Sequence, residues 1–451
     1  MRYLGKIFSR WASRYVPDPF VLALGLTFIV CTLALPRLNY DLTTLANNWV
    51  SGNGAGLWRF LAFSMQMCLI LVTGFALAET APVQRIVGRL ATLPKTTRQA
   101  TTLISIVSMS TALLNWGLGL IVGAFLARTV GIAARNSNRP IHYPLVCAAG
   151  YTGLAVWHGG LSGSAPLKAT SQSQLIEILG PELGNKIAPI STLDSLASSL
   201  NLTVTALCFI LVPATLALLA PPADEIVGFE GDELEPPPSV TPPNTFAEHL
   251  NQSRLVIMLP IVLTAIWAFS WFAENGISKL NPNVINLLML SIGLLLHGSA
   301  KAYATAITKA VNSCAGIILQ YPFYAGIMAL LSVSGIVGDL GTLLASLEGS
   351  SLCVATFYSS GLVNLLVPSG GGQWAVQGPI IMQAALESGV EPAHALMALA
   401  YGDQWTNLIQ PFWALPLLGI CQIRANQLMG YTVILLITMQ ICFLMPLLIF
   451  V

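Results

Sequence analysis

The sequence predicts an all-α, polytopic membrane protein made of two inverted repeats, each with a re-entrant helical hairpin and a broken transmembrane helix. Three observations carry that expectation. The 451 residues are 55% hydrophobic and only 9% charged, with a mean hydropathy of +0.73, whereas soluble domains carry about 25% charged residues. Apolar runs of roughly the 20 residues that cross a bilayer recur along the chain. Two apolar stretches are too long for one span, and polar, helix-breaking clusters interrupt them at corresponding places in the two halves.

The elements follow in order. Arg2, Lys6, Arg10 and Arg14 precede an apolar run from Phe20 to Leu35. No small-residue cleavage pattern comes after it, so it reads as an uncleaved first span, 19–36, and not as a signal peptide. Further spans are expected at 58–79, 143–163, 191–219, 254–272, 283–300, 310–337, 392–419 and 429–450. The stretches 99–133 and 350–386 each suit a hairpin that enters and leaves on one face. Threading these nine spans and two hairpins from a cytoplasmic N-terminus puts 15 of the 20 Lys and Arg inside, leaving Arg37, Arg59, Lys168, Lys186 and Lys279 outside. That is the asymmetry of the positive-inside rule. A single span over 99–133 would separate Arg98 from Arg135 and Arg139 and weaken it.

The chain then divides into three. Residues 1–220 form the N-terminal repeat, with hairpin 99–133 and broken helix 143–163. Residues 221–282 are a cytoplasmic linker and a connecting helix; six acids lie between Asp224 and Glu235, beside a Pro-Pro-Pro run, with no Lys or Arg over 221–250. Residues 283–451 form the C-terminal repeat, with hairpin 350–386 and broken helix 392–419. One intervening span gives the halves opposite orientation. Interrupted helices of inverted repeats meeting near the midplane are the recurring plan of secondary transporters.

Backbone breaks survive at membrane depth only where they line an enclosed cavity, because unsatisfied backbone groups cost several kcal/mol in lipid. The first hairpin turns at Leu114-Asn115-Trp116-Gly117-Leu118-Gly119. The second turns between Asn364 and Trp374, through Ser369-Gly370-Gly371-Gly372-Gln373. Those glycines open a helix whose free N–H groups and positive dipole end suit an anion; a plain tight turn would use the same residues. Asn115, Asn364, Ser369 and Gln373 can hydrogen-bond a carboxylate or hold a cation. The helix breaks run from Gly150 to Gly160, including Trp157 and His158, and from Tyr401 to Pro411. Asp403 lies deep in a span, where a carboxylate reads first as functional. It can carry a proton or bind Na⁺ with Asn364 and Asn407 nearby. His158, at the equivalent break, can relay a proton or rest as a satisfied buried side chain. Thr406, Asn407 and Gln410 can bind ligand or cap the helix ends that Pro411 frees. Trp116, Trp374, Trp157 and Trp405, placed at the tips and breaks instead of an interfacial belt, can wall an apolar pocket, with Phe412 beside them; core packing is the other use of such residues.

The eight cysteines fall mostly in apolar runs without paired spacing and read as small buried hydrophobes. The chain shows no nucleophile elbow, phosphate loop, zinc spacing or basic tract. An enzyme, a cofactor and a nucleic-acid partner are therefore not expected.

The run Val363-Asn364-Leu-Leu-Val-Pro368-Ser369-Gly-Gly-Gly-Gln373-Trp374-Ala-Val-Gln377-Gly-Pro379 resembles the bacterial short-chain fatty acid transporter family. So do Asp403-Gln-Trp405-Thr406-Asn407-Leu-Ile-Gln410-Pro411-Phe-Trp413-Ala-Leu-Pro416 and the Phe8–Phe20 region with Tyr15-Val-Pro17-Asp18-Pro19. The resemblance covers essentially the whole chain. It implies uptake of short monocarboxylates, such as acetoacetate or butyrate, across a bacterial inner membrane. In plan the family is similar to the ion-transporter superfamily of dicarboxylate and sodium-coupled carriers, which implies H⁺ or Na⁺ symport by an elevator-type homodimer. On that likeness Asn115, Asn364 and Ser369 match the hairpin-tip ligands, although Leu114-Asn115-Trp116 does not reproduce the Ser-Asn-Thr pattern of the dicarboxylate branch. An ion antiporter of the same superfamily and a membrane enzyme or sensor for acyl compounds are the alternative readings.

Overall fold

The computed structural model describes residues 19–52, 56–231, 243–347, 349–367 and 369–451, without the side chains of Pro19, Leu366, Pro411 and Phe412. The basic residues 2, 6, 10 and 14, the Tyr15–Asp18 motif, the triple-proline run and Pro368 lie outside the described residues. Among those described, all regular structure is helical. Seven helical stretches are long and apolar enough to cross a membrane, from Phe20–Arg37 to Ala425–Phe450.

The first long apolar stretch folds as two helices, Thr97–Leu114 and Trp116–Asn136, packed on each other. A single extended residue, Asn115, separates them. Its N–H closes the first helix on Thr111 and its side-chain oxygen accepts the Leu118 N–H at 2.9 Å to start the second. Arms of 18 and 21 residues rise about 27 and 32 Å, so each is about as long as the apolar layer of a bilayer. Both arms pack on the helix Tyr143–Gly150. Beyond Gly150 the chain passes through 3₁₀ turns at Thr152–Ala155 and Trp157–Gly159 into a short helix, Ser164–Lys168.

The second stretch folds as Ser350–Leu366 and Gly370–Ser388. The first arm packs chiefly on the following helix, Pro392–Asn407, and the second on Ile336–Ala345 and then on Pro392–Asn407; the two arms touch one another less. Contact with the first arm is close: a Cβ at Gly402 would fall 2.2 Å from the Phe357 carbonyl oxygen. After Asn407 the chain breaks over three residues and resumes as Pro411–Cys421, where proline has no N–H to continue the ladder.

One span starts later than expected: that over 191–219 is helical only from Ser199 to Leu218, because the Ser/Thr/Asp-rich approach forms turns and Ser198 caps the helix by accepting the Asn201 N–H. The α-helix within 143–163 ends at Gly150, where its break was expected to begin. Among the described residues, five helices of eight or more residues between the spans were not anticipated: Leu42–Ser51, Ala81–Ala91, Gln172–Leu179, Ala300–Val311 and Ile336–Ala345. Four of them carry polar or charged residues through a short apolar pattern, and the fifth, Ile336–Ala345, is simply too short to signal a span.

Candidate functional site

The two broken helices meet. The Tyr151 hydroxyl, in the first break, donates to the Asn407 and Gln410 carbonyls of the second at 3.0 and 3.1 Å. The His158 N–H donates to Gln404 Oε1 at 3.1 Å. Asn201 holds the Gly159 carbonyl and accepts from the Tyr401 hydroxyl. Carbonyls freed by the breaks are thus satisfied across the two halves of the chain.

At the centre, His158 Nδ1 lies 2.7 Å from Asp403 Oδ2, and neither side chain is exposed. The other ring nitrogen, Nε2, accepts the Ala165 N–H at 3.2 Å, with Ser164 Oγ at 3.3 Å. A backbone N–H only donates, so Nε2 carries no hydrogen. The geometry fits the tautomer with its hydrogen on Nδ1, donating to Asp403. Both ring nitrogens are engaged, and the open acceptor of the pair is Asp403 Oδ1, buried with no partner. Asn364 Oδ1 and Gln410 Oε1 nearby are in the same condition. Buried acceptors in this state call for a proton, a cation or a ligand donor. Among the described residues no three His, Cys, Asp or Glu side chains converge as metal ligands.

Beside the pair begins the helix Gly370–Ser388. Ser369 caps it, its hydroxyl accepting the Gly372 N–H at 3.3 Å and meeting the Tyr321 hydroxyl at 3.2 Å. Helix geometry leaves the N–H groups of Gly370 and Gly371, one and two residues past the cap, without intrahelical acceptors. Both residues line a small cavity with Ser369, Ser164, Tyr321 and Asn407, and its remaining wall is Met67, Trp116, Leu154, Trp157, Ile317 and Trp413. The cavity offers about 20 Å³ to water centres, enough for a water or two. A larger occupant requires the surrounding elements to separate. Trp157 stacks on His158 at 4.4 Å, and Trp116 packs edge-on to Trp413 at 5.1 Å. The lining thus combines the Gly370 and Gly371 amides with aromatic rings, and Trp157 sits beside Gly370 itself, its ring 2.7 Å from where a Cβ there would fall.

Residues 1–450 match the family model described as short chain fatty acid transporter. The chain belongs to that family. This transporter is 35% identical over 455 residues to a protein of Escherichia coli (strain K12) named as a short-chain fatty acid transporter, with 99% of each chain covered. It is 34% identical over 433 residues to one of the same description in Haemophilus influenzae, with 95% of each covered. Its fold is similar to that of the YdaH transporter of Alcanivorax borkumensis (TM-score 0.56, 15% identity, 96% of this chain and 97% of the other). It is likewise similar to that of MtrF from Neisseria gonorrhoeae (TM-score 0.59, 13% identity, 98% and 97%). The protein is a multi-pass membrane transporter and not an enzyme.

The transporter brings together most of the residues singled out from its sequence. His158, Asp403, Ser369, Gly370, Gly371, Trp157, Trp116 and Asn407 meet at or beside the cavity. Asn364 Nδ2 braces the second hairpin, donating to the Asp403 carbonyl, Thr406 Oγ1 and Asn407 Oδ1. Gln410 donates to the Asn364 carbonyl. Asn115 stands apart: its Nδ2 donates to the Ile70 carbonyl at 2.8 Å and its Oδ1 accepts the Leu118 N–H, and it does not line the cavity. Gly117 packs against the backbone of the Leu61–Ala78 helix. Gly372 abuts the Tyr324 ring. Gln373 braces Ser360 and Gln377, Trp374 is wholly buried away from the cavity, and Trp405 donates to Leu436. Tyr321, Met67, Ile317, Leu154 and Trp413 were missed. Tyr321, Met67 and Ile317 sit in long apolar patterns that do not separate a cavity wall from a core; Leu154, inside the Gly150–Gly160 break, and Trp413, two residues past Pro411, stood near a signal.

Proposed function

We propose that this transporter imports short-chain monocarboxylates by symport with H⁺ or Na⁺ through alternating access. It would reside in a bacterial inner membrane with its N-terminus cytoplasmic, as a homodimer whose transport unit moves in an elevator-like way. The carboxylate would sit on the Gly370 and Gly371 amides with the Ser369 and Tyr321 hydroxyls, and the short tail against Trp116, Trp157 and Trp413. Inverted repeats, with each hairpin tip and break contributed from opposite sides, would place that ligand between the halves.

The observation that carries this reading is the position of Asp403. A Cβ at Gly370 would lie 2.9 Å from Asp403 Oδ2, so a carboxylate received by the Gly370 amide faces an existing carboxylate. Two such charges about 5 Å apart repel by about 3 kcal/mol at an effective dielectric near 20. A proton or Na⁺ on the open Asp403 oxygen removes that repulsion. Substrate and cation therefore each favour the other's binding, which is the reciprocal coupling that symport requires. Asn364 Oδ1 and the Asn407 side chain are the further oxygen donors available to Na⁺.

Reconstituted Asp403→Asn protein tests the reading, with pH and Na⁺ gradients imposed separately. The variant should exchange labelled butyrate across the bilayer but fail to accumulate it under either gradient. Concentrative uptake at the unmodified level would overturn the coupling role. Absence of butyrate counterflow in the unmodified protein would favour an antiporter without organic substrate.

A further inference from the structure

Lys168 is the one Lys or Arg among the described residues with no exposure. It ends the short helix Ser164–Lys168, whose first two residues hold the His158 ring. Its ammonium donates to Glu177 Oε2 at 2.6 Å and Gln66 Oε1 at 3.1 Å, and lies 4.6 Å over the Phe63 ring. The partner carboxylate is held by little else. Glu177's side chain is 22% exposed and its Oε1 has no partner. Arg59, close by, bonds the Glu177 and Ile176 carbonyls. Two cations and one acid leave this cluster with a net positive charge.

Phe63 stands between the cluster and the cavity. Lys168 lies on its face, Tyr321 meets it edge-on at 5.5 Å, and its tip approaches Gly371 so closely that a Cβ there would fall 2.9 Å away. Tyr321 in turn touches Ser369. A buried ammonium must keep an anion beside it, because the cost of leaving it alone is several kcal/mol. Exchanging one carboxylate for another conserves both the ion pair and the charged hydrogen bond, and Glu177, unlike Lys168, has a side chain that reaches the surface in part, 22% exposed.

We propose that Lys168 is a vestibule site for a monocarboxylate, on which the incoming acid replaces Glu177 before passing the Phe63 ring to the Gly370–Gly371 amides. This rests on the monocarboxylate reading above.

The test is the KM for labelled butyrate in proteoliposomes containing the full chain. Glu177→Gln removes the resident competitor and should lower KM by about threefold or more. Lys168→Gln removes a charged hydrogen-bond donor and should raise KM by about tenfold or more. The double variant, a neutral Gln–Gln pair, should keep the high KM. A purely structural ion pair predicts the reverse, with single variants impaired and the double variant restored. Unchanged or raised KM in Glu177→Gln, or an unmodified KM in the double variant, overturns the site while leaving the monocarboxylate reading intact. If Lys168→Gln does not insert, Glu177→Gln decides alone. Absence of butyrate uptake by the unmodified protein would overturn both.

Discussion

A methyl group added at Gly370 would lie 2.7 Å from the Trp157 ring and 2.9 Å from both Asp403 Oδ2 and His158 Cε1. Trp157 stacks on His158, and His158 is held at both nitrogens, so displacing these rings disturbs the contact with Asp403. Overpacking of this kind costs about 1–3 kcal/mol, and here the displaced atoms are the proposed coupling pair. Gly370→Ala should therefore reduce uptake about tenfold or more while lowering the unfolding temperature only modestly. Gly419→Ala is the control, since nothing lies within 4 Å of its Cβ position; it should transport normally. Uptake by Gly370→Ala at the control level would show that this crowding is irrelevant. The chemistry of this site was partly legible in the sequence. A glycine triplet after serine, a deep aspartate and a histidine in an apolar run each violate the local pattern and so stand out. The His158–Asp403 bond itself, joining positions 245 apart, was not legible, because no local pattern encodes a contact between distant breaks. Nor was the direction of Asn115, which spends its amide on Ile70 and Leu118 and not on the cavity.

At the scale of elements, a broken helix exposes carbonyls, and whatever satisfies them decides whether the break holds. Tyr151 does this for Asn407 and Gln410 from the other broken helix. Asn407 O also accepts the Gln410 N–H at 3.2 Å, so Tyr151→Phe leaves the Gln410 carbonyl as the principal loss. A buried acceptor deprived of its donor costs about 1–3 kcal/mol. Tyr151→Phe should lower stability by that amount in thermal unfolding of the purified protein, whereas Tyr40→Phe, at a 71% exposed position, should change little. Equal stability of the two variants would mean that the contact does not hold the breaks together. The divisions at Asn115 and after Leu366, and the breaks after Gly150 and Asn407, could be read in advance because clusters of Gly, Asn, Ser and Pro disrupt a helix wherever they interrupt a long apolar run. Ala81–Ala91, with Arg85 and Arg89, and Ala300–Val311, with Lys301 and Lys309, could not. Their charges end the apolar run that signals a span, and their helical form depends on packing against the long helices.

For the molecule as a whole, the distribution of buried charge sets what can move. Among the described residues Asp403 is the one fully buried acid, and its open oxygen is a single acceptor. One cation there, moving with one monocarboxylate, transfers no net charge. The membrane potential, worth about 2.3 kcal/mol per charge per 100 mV, would then contribute nothing, and accumulation would draw only on the chemical gradient of the ion. The expected outcome is that a K⁺ diffusion potential imposed with valinomycin leaves butyrate uptake in proteoliposomes unchanged, while an inward H⁺ or Na⁺ gradient at zero potential drives it. Stimulation by an inside-negative potential would require a second cation per cycle. The Asp403 oxygen cannot hold two, so that result would shift attention to the unpartnered oxygens of Asn364 and Gln410, which can bind a metal ion but cannot be protonated in the physiological range. A second proton could instead sit on the His158 imidazole, so in either outcome the ion is identified by which single gradient supports accumulation.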